Sequence, residues 1–121
     1  MRQALRGLTA ARVGLVIWAG VIMWSSLTPV SSVPMASSAP DTLLHAVGYA
    51  VLAALLVFSM RRPRPSIVVL GVLAFGLLME VLQRMTGYRS FEWSDLLADG
   101  VGAAVGVLAA MIARTAVSNR P

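Results

Sequence analysis

Four long apolar runs, separated by short polar segments, account for most of the chain. They lie at about residues 13–30, 41–60, 66–85 and 95–113. Each run approaches the ~20 residues that an α-helix needs to cross a hydrocarbon layer about 30 Å thick, at 1.5 Å rise per residue. The pattern therefore predicts an all-α fold, a polytopic membrane bundle of four transmembrane helices, with residues 1–121 forming a single domain.

The first run leaves two interpretations open. A basic start, an apolar stretch and a Ser- and Ala-rich segment near residues 31–40 also describe a secretory signal peptide, cleaved within residues 1–39. We favour a transmembrane helix, because the apolar run is long for a signal peptide. The second run is better delimited: Pro40 and Asp41 suit the start of a helix, and residues 61–65 (Arg-Arg-Pro-Arg-Pro) end it.

Composition supports a lipid environment. The 121 residues are 58% hydrophobic and 12% charged, and the mean hydropathy is +0.80. A soluble domain carries about 25% charged residues. The expected surroundings are therefore a lipid bilayer. The chain has no cysteine, which excludes disulfides and thiolate chemistry.

The net charge of +5 reflects topology rather than nucleic-acid binding. All ten basic residues are arginines, scattered through loops and tails without forming a basic helix face. Eight of them fall in the N-terminal segment, the middle loop and the tail, whereas only Arg84 and Arg89 fall in the other two loops. Under the positive-inside rule, both termini and the middle loop are expected to be cytoplasmic.

The few polar residues of the apolar runs lie at matching depths and helical spacing. A charged side chain in hydrocarbon costs about 2.5–3.5 kcal/mol at a helix centre, so such residues need partners. Residues at i, i+3 and i, i+4 share one helix face. We therefore predict a single pocket in the outer third of the membrane, lined by Asp41, His45, Tyr49, Glu80, Gln83, Asp95 and Asp99, with Arg89 from the adjoining loop.

The chemistry of His45 admits several interpretations. It could hydrogen-bond Asp41 one turn away, carry a proton, or ligate a metal. His45, Glu80 and Asp99 are suitable ligand types, but they form no sequence-local motif, and we predict neither a metal nor another cofactor.

The two most deeply placed carboxylates also have alternative roles. Glu80 and Asp99 could work as an acid/base pair. One of them could instead bond Gln83 or be neutralised by Arg84 or Arg89. Inside a membrane, a functional role is the default for such groups.

Two other features carry separate predictions. Arg89 could clamp a phosphate or carboxylate with its planar guanidinium, or pair with Glu92 or Asp95 at the water interface. Gly102-x-x-x-Gly106 has the small-residue spacing that lets membrane helices approach closely, which predicts a packing seam.

Taken in order, these residues resemble the VanZ-like family of small bacterial membrane proteins over about residues 40–106, while the first helix is generic. The matching elements are Asp41-x-x-x-His45 with Tyr49, Glu80-x-x-Gln83, Arg89, Asp95-x-x-x-Asp99, and Gly102 with Gly106. Two positions depart from the family pattern: Thr42 stands where the family commonly has Lys, and Asp99 where it commonly has Asn. The resemblance implies a bacterial cytoplasmic membrane protein with a role in the cell envelope, possible involvement in glycopeptide-antibiotic resistance, and no particular reaction.

Three functional hypotheses follow. In the first, the pocket binds an anionic cell-envelope component, such as a lipid-linked glycan precursor or a lipid headgroup, with Arg89 contacting the anion. In the second, the protein is an intramembrane enzyme, metal-dependent or acid/base, acting on a lipid phosphate. In the third, the polar residues only hold helices together in a membrane assembly partner. Catalysis and oligomeric state stay open.

Overall fold

The computed structural model describes residues 1–29, 41–87 and 92–121, apart from the side chain of Asp41. These residues form four α-helices: α1 (Arg2–Leu27), α2 (Asp41–Ser59), α3 (Pro65–Met85) and α4 (Trp93–Ser118). Each helix is long and apolar enough to cross a membrane. The fold is therefore the predicted all-α arrangement with four candidate membrane spans.

The second and third helices match the predicted bounds closely, whereas the first and fourth are longer than predicted. α1 begins at Arg2 rather than near residue 13, and α4 runs from Trp93 to Ser118 rather than from about 95 to 113. Residues 2–12 are polar in part but rich in Ala, Leu, Arg and Gln, which favour helix at any exposed position. The apolar run identifies only the part of each helix that suits lipid. α1 and α4 continue beyond that part into more polar sequence.

Successive helices run antiparallel, with α2 at the centre of the bundle. α2 packs most extensively against α4 and then against α1, and α3 packs chiefly against α4. Side chains of α1 bond the backbone of α2 in antiparallel register: Arg12 Nε donates to Ser59 O at 3.1 Å, and Trp18 Nε1 donates to Gly48 O at 2.8 Å. The core consists mainly of small and branched side chains from all four helices.

Two glycines set the close approach of α2 and α4. A Cβ added at Gly102 would collide with the backbone carbonyl of Ala46, and one added at Gly106 would collide with that of Ala50. Because both pairs are spaced four residues apart, the contact continues along one face of each helix. The two backbones therefore touch where the sequence placed a packing seam.

Arginines bond carbonyl groups in the last turn of α2 and just beyond it. Arg114 Nη1 donates to Val57 O at 3.2 Å and to Met60 O at 3.1 Å, and Arg114 Nη2 donates to Arg61 O at 3.1 Å. Carbonyls in the last turn of a helix have no partner within the helix, and a cation suits this end of the helix dipole. This end of the bundle, called here the arginine end, also holds the α2–α3 loop with Arg62.

The outer surface of the bundle is apolar. Large aliphatic side chains on all four helices are more than half exposed, including Val16 (73%), Leu70 (66%) and Leu108 (63%). Apolar surface on this scale indicates contact with a membrane or a partner. Together with the length and hydropathy of the helices, it is consistent with a bundle residing in a lipid bilayer.

Candidate functional site

Polar side chains from three helices meet at the end of the bundle opposite the arginine end. They are His45 and Tyr49 of α2, Glu80 of α3, and Asp95 and Asp99 of α4, and they are called here the polar cluster. His45 and Asp99 lie in the first two turns of their helices, and Glu80 lies in the last two turns of α3. Antiparallel packing therefore brings these three segments to the same level of the bundle.

His45 joins α2 to α4. Its Nδ1 lies 2.7 Å from Asp99 Oδ1, and its Nε2 lies 3.7 Å from Asp95 Oδ2. The first distance is that of a charge-assisted hydrogen bond. The sequence suggested Asp41 as the hydrogen-bond partner of His45, but the Asp41 side chain lies outside the description. Among the described residues, the partners are the two aspartates of α4.

Glu80 is completely buried, although it is charged at neutral pH in water. Its Oε2 accepts a hydrogen bond of 3.3 Å from the backbone N–H of Glu92, at the start of α4. Its Oε1 has no hydrogen-bond partner within the described residues. The sequence offered Gln83, Arg84 or Arg89 as partners for the carboxylates. Arg89 lies outside the described residues, and the described partner of Glu80 is a backbone amide.

Asp99 is also completely buried, and Gly76 of α3 makes the space for it. A Cβ at Gly76 would lie 2.6 Å from Asp99 Oδ2 and 3.2 Å from Tyr49 Cε1. In the part of the chain that the structure describes, Asp99 Oδ2 and the Tyr49 hydroxyl form no hydrogen bond. The Tyr49 ring lies parallel to that of His45, with centroids 6.0 Å apart. Gly76 thus belongs to the site because its missing side chain leaves the space that Asp99 occupies.

The polar cluster can accept hydrogen bonds or bind a cation. A buried polar group without a partner costs about 1–3 kcal/mol. Three such atoms, on Tyr49, Glu80 and Asp99, lie buried together. Ligand atoms of His45, Glu80 and Asp99 lie within 4.8 Å of one another, so these residues could hold a metal ion. With Nδ1 protonated and bonded to Asp99, His45 could also accept a proton at Nε2.

A known family model matches most of the chain. The VanZ/LLP1 family model matches residues 13–114. The chain belongs to the VanZ/LLP1 family. No curated protein and no solved structure matches it significantly.

The VanZ/LLP1 match begins within α1 and ends within α4, so it extends beyond the 40–106 region that carried the resemblance. α1 therefore belongs to the matched region, although the sequence alone made it look generic. The match also contains the whole polar cluster and the α2–α4 seam.

The structure of this VanZ/LLP1 protein brings most of the predicted site residues together. Gln83 is buried one turn beyond Glu80 on the same face of α3. The prediction for Arg89 and that for the Asp41 side chain lie outside the described residues. Sequence reasoning missed Gly76, although its position four residues before Glu80 places it on the same helix face.

Proposed function

We propose that this membrane protein binds an anionic cell-envelope component, a lipid-linked glycan precursor or a lipid headgroup, at the polar cluster. One observation carries the proposal. Glu80 Oε1, Asp99 Oδ2 and the Tyr49 hydroxyl are buried at one end of the bundle without a hydrogen-bond partner in the described residues. Buried polar atoms are usually hydrogen-bonded, and a bundle without a ligand would leave these three atoms unpaired in the part of the chain described. A bound ligand would supply the missing hydrogen-bond partners.

The depth of the polar cluster suits the polar part of a lipid. His45 lies four residues from the start of α2, and Glu80 lies five residues before the end of α3. At 1.5 Å per residue, these positions are about 6–8 Å from the helix ends. A headgroup at the membrane surface is within reach of such a site, and the lipid tail would lie along the apolar outer surface.

The charges of the polar cluster constrain the ligand. Besides the phenol of Tyr49, its described ionisable groups are three carboxylates and one imidazole, so an anion needs an additional positive group beside it. Arg84 is exposed at the end of α3, and Arg89 remains the predicted anion contact. Hydroxyl or amino groups of a glycan would donate to Glu80 Oε1 and Asp99 Oδ2. A ligand with both an anionic group and hydrogen-bond donors therefore fits best.

The proposal includes an orientation and a location. The described α2–α3 loop, Arg12 and Arg114 lie at the arginine end, whereas Arg84 lies at the end with the polar cluster. The positive-inside rule then favours a cytoplasmic arginine end and cytoplasmic termini. Family membership supports a bacterial cytoplasmic membrane. The polar cluster would face the outer leaflet, where envelope precursors are used.

Charge-neutral substitution of Glu80 tests the proposed binding. Glu80→Gln keeps the size of the side chain but removes the carboxylate. We expect at least a tenfold loss of an anionic envelope lipid that co-purifies with the wild-type protein in native lipid discs. Lipid mass spectrometry of the purified discs measures this loss.

Glu92→Gln is the matched control, because its side chain is exposed and its backbone amide remains in place. It should retain the lipid. Equal lipid content in all three proteins, with less folded Glu80→Gln protein, would contradict the proposal and favour a role for the polar cluster in helix assembly alone.

A further inference from the structure

Nitrogen and oxygen atoms of three helices converge within the polar cluster. His45, Glu80 and Asp99 each offer one ligand atom, and these atoms all lie within 4.8 Å of one another. Ligand atoms about 2.1 Å from one tetrahedral Zn²⁺ ion lie about 3.4 Å from one another. Rotation of the three side chains would have to shorten the longest separation by up to about 1.4 Å to bring all three atoms to bonding distance.

The two carboxylates present unused lone pairs to this space. Glu80 and Asp99 are both 0% exposed. Glu80 Oε1 and Asp99 Oδ2 accept no hydrogen bond from the described residues. Carboxylate oxygens that are buried without donors are the atoms that a cation would satisfy.

Charge balance favours a divalent ion. The ionised carboxylates of Glu80 and Asp99 together carry two negative charges, and neutral His45 adds none. A divalent cation makes this three-residue set neutral, which suits a site closed off by apolar helices, and leaves the charge of Asp95 beside His45 outside the set. A monovalent ion or an amine would leave one more negative charge uncompensated.

The surroundings of His45 match those of a metal-ligating histidine. Such a histidine commonly donates its second ring N–H to a carboxylate, which fixes the orientation of the ring. Here Nδ1 faces Asp99 at 2.7 Å, while Nε2 faces Asp95 Oδ2 at 3.7 Å. With the metal on the Nδ1 side, Nε2 would carry the proton, and Asp95 Oδ2, at 3.7 Å, lies just beyond hydrogen-bond distance. The proton on Nδ1 would leave when the metal binds.

The type of ligand selects the type of ion. One imidazole and two carboxylates suit Mn²⁺ or Zn²⁺, whereas Ca²⁺ and Mg²⁺ prefer oxygen ligands alone. We infer that His45, Glu80 and Asp99 form a binding site for a single divalent transition-metal ion, with Asp95 orienting His45. The ion would also supply the positive group that an anionic headgroup needs. Only this contact between ion and headgroup rests on the proposed function.

Manganese binding to the full chain tests the metal site without added lipid. The purified protein is stripped of metal with a chelator and titrated with Mn²⁺, and the free ion is followed by electron paramagnetic resonance. We expect one site per chain. Glu80→Gln and His45→Gln should each weaken binding at least 100-fold, and Asp95→Asn, which changes an orienting group, about 10- to 100-fold. Glu92→Gln should bind within twofold of the wild type.

The variants also identify what would overturn the inference. Wild-type binding no tighter than that of Glu80→Gln would overturn it, as would an equal loss in Glu92→Gln. If Glu80→Gln does not fold, the comparison of His45→Gln with the wild type decides in the same way. Tight Mn²⁺ binding by protein that retains no anionic lipid would overturn the proposed function alone. Retention of that lipid by protein that binds no Mn²⁺ would overturn the metal site alone.

Discussion

At the scale of single residues, Gly76 shows how the site depends on an absent side chain. It lies inside α3, where glycine is about 0.5–1 kcal/mol less favourable than alanine. Its lack of a Cβ leaves room for Asp99 Oδ2, which a Cβ would approach to 2.6 Å. The helix therefore gives up local stability at the position where a carboxylate of α4 must fit.

Alanine at two glycines of α3 should have opposite effects. Gly76→Ala forces Asp99 or Tyr49 to move, and we expect it to lower the free energy of unfolding by about 1–3 kcal/mol, as overpacking does. A Cβ at Gly71 would meet only the Leu56 side chain, at an ordinary 3.8 Å. Gly71→Ala should therefore be neutral or stabilising by up to about 1 kcal/mol. Denaturant unfolding in mild detergent compares them, and equal effects would contradict this role of Gly76.

At the scale of helices, α2 depends on its neighbours for the bonds that its own C-terminus lacks. Arg114 bonds the carbonyl of Val57 in its last turn and those of Met60 and Arg61 just beyond its end, and Arg12 bonds the carbonyl of Ser59. Proline at position 63 prevents the helix from continuing far beyond Ser59. The end of α2 is thus held by side chains of α1 and α4, which tie three helices together.

Replacement of Arg114 by lysine should weaken this end of the bundle. Lysine keeps the charge but not the planar fork that reaches several carbonyls at once. We expect Arg114→Lys to lower the free energy of unfolding by about 1–3 kcal/mol, the range for hydrogen bonds to charged groups. Arg120→Lys, at an exposed position near the chain end, should change it by less than about 0.5 kcal/mol. Thermal or denaturant unfolding measures both, and a neutral Arg114→Lys would argue against this capping role.

At the scale of the whole molecule, the two ends of the bundle differ in charge and chemistry. The arginine end holds most of the described arginines, and the other end holds the polar cluster. This asymmetry underlies the proposed orientation, with the polar cluster facing outwards. The absence of cysteine from the sequence makes the orientation simple to test.

Single cysteines at the two ends should label from opposite sides of the membrane. Ser94 and Ser118 are both exposed, at the start and the end of α4. In spheroplasts, Ser94→Cys should react with an impermeant maleimide, because the proposed orientation has the polar-cluster end facing outwards. Ser118→Cys should react only after permeabilisation, and each variant serves as the control for the other. The reverse pattern would overturn the proposed orientation and place the polar cluster on the cytoplasmic side.

Much of this architecture was predictable from sequence, because lipid imposes simple demands on a chain. Hydropathy located the four helices, and the matched depths of His45, Glu80 and Asp99 predicted that they would meet. The hydrogen bond between His45 and Asp99 was not predictable, since a neighbour one turn away and a residue of another helix look equally suitable in sequence. The start of α1 was missed because a polar helix segment leaves no hydropathy signal.

The link between His45 and Asp99 joins residues 54 positions apart, and this has a consequence for biosynthesis. At a synthesis rate of about 5–20 residues per second, His45 is made some 3–11 s before Asp99. Throughout that interval, the imidazole lacks the carboxylate of Asp99, and Glu80, once made, lacks the backbone amide of Glu92 until α4 follows. Docking of the last helix therefore completes the polar cluster. A nascent chain that stops short of α4 leaves the polar groups of α2 and α3 without the partners that α4 supplies.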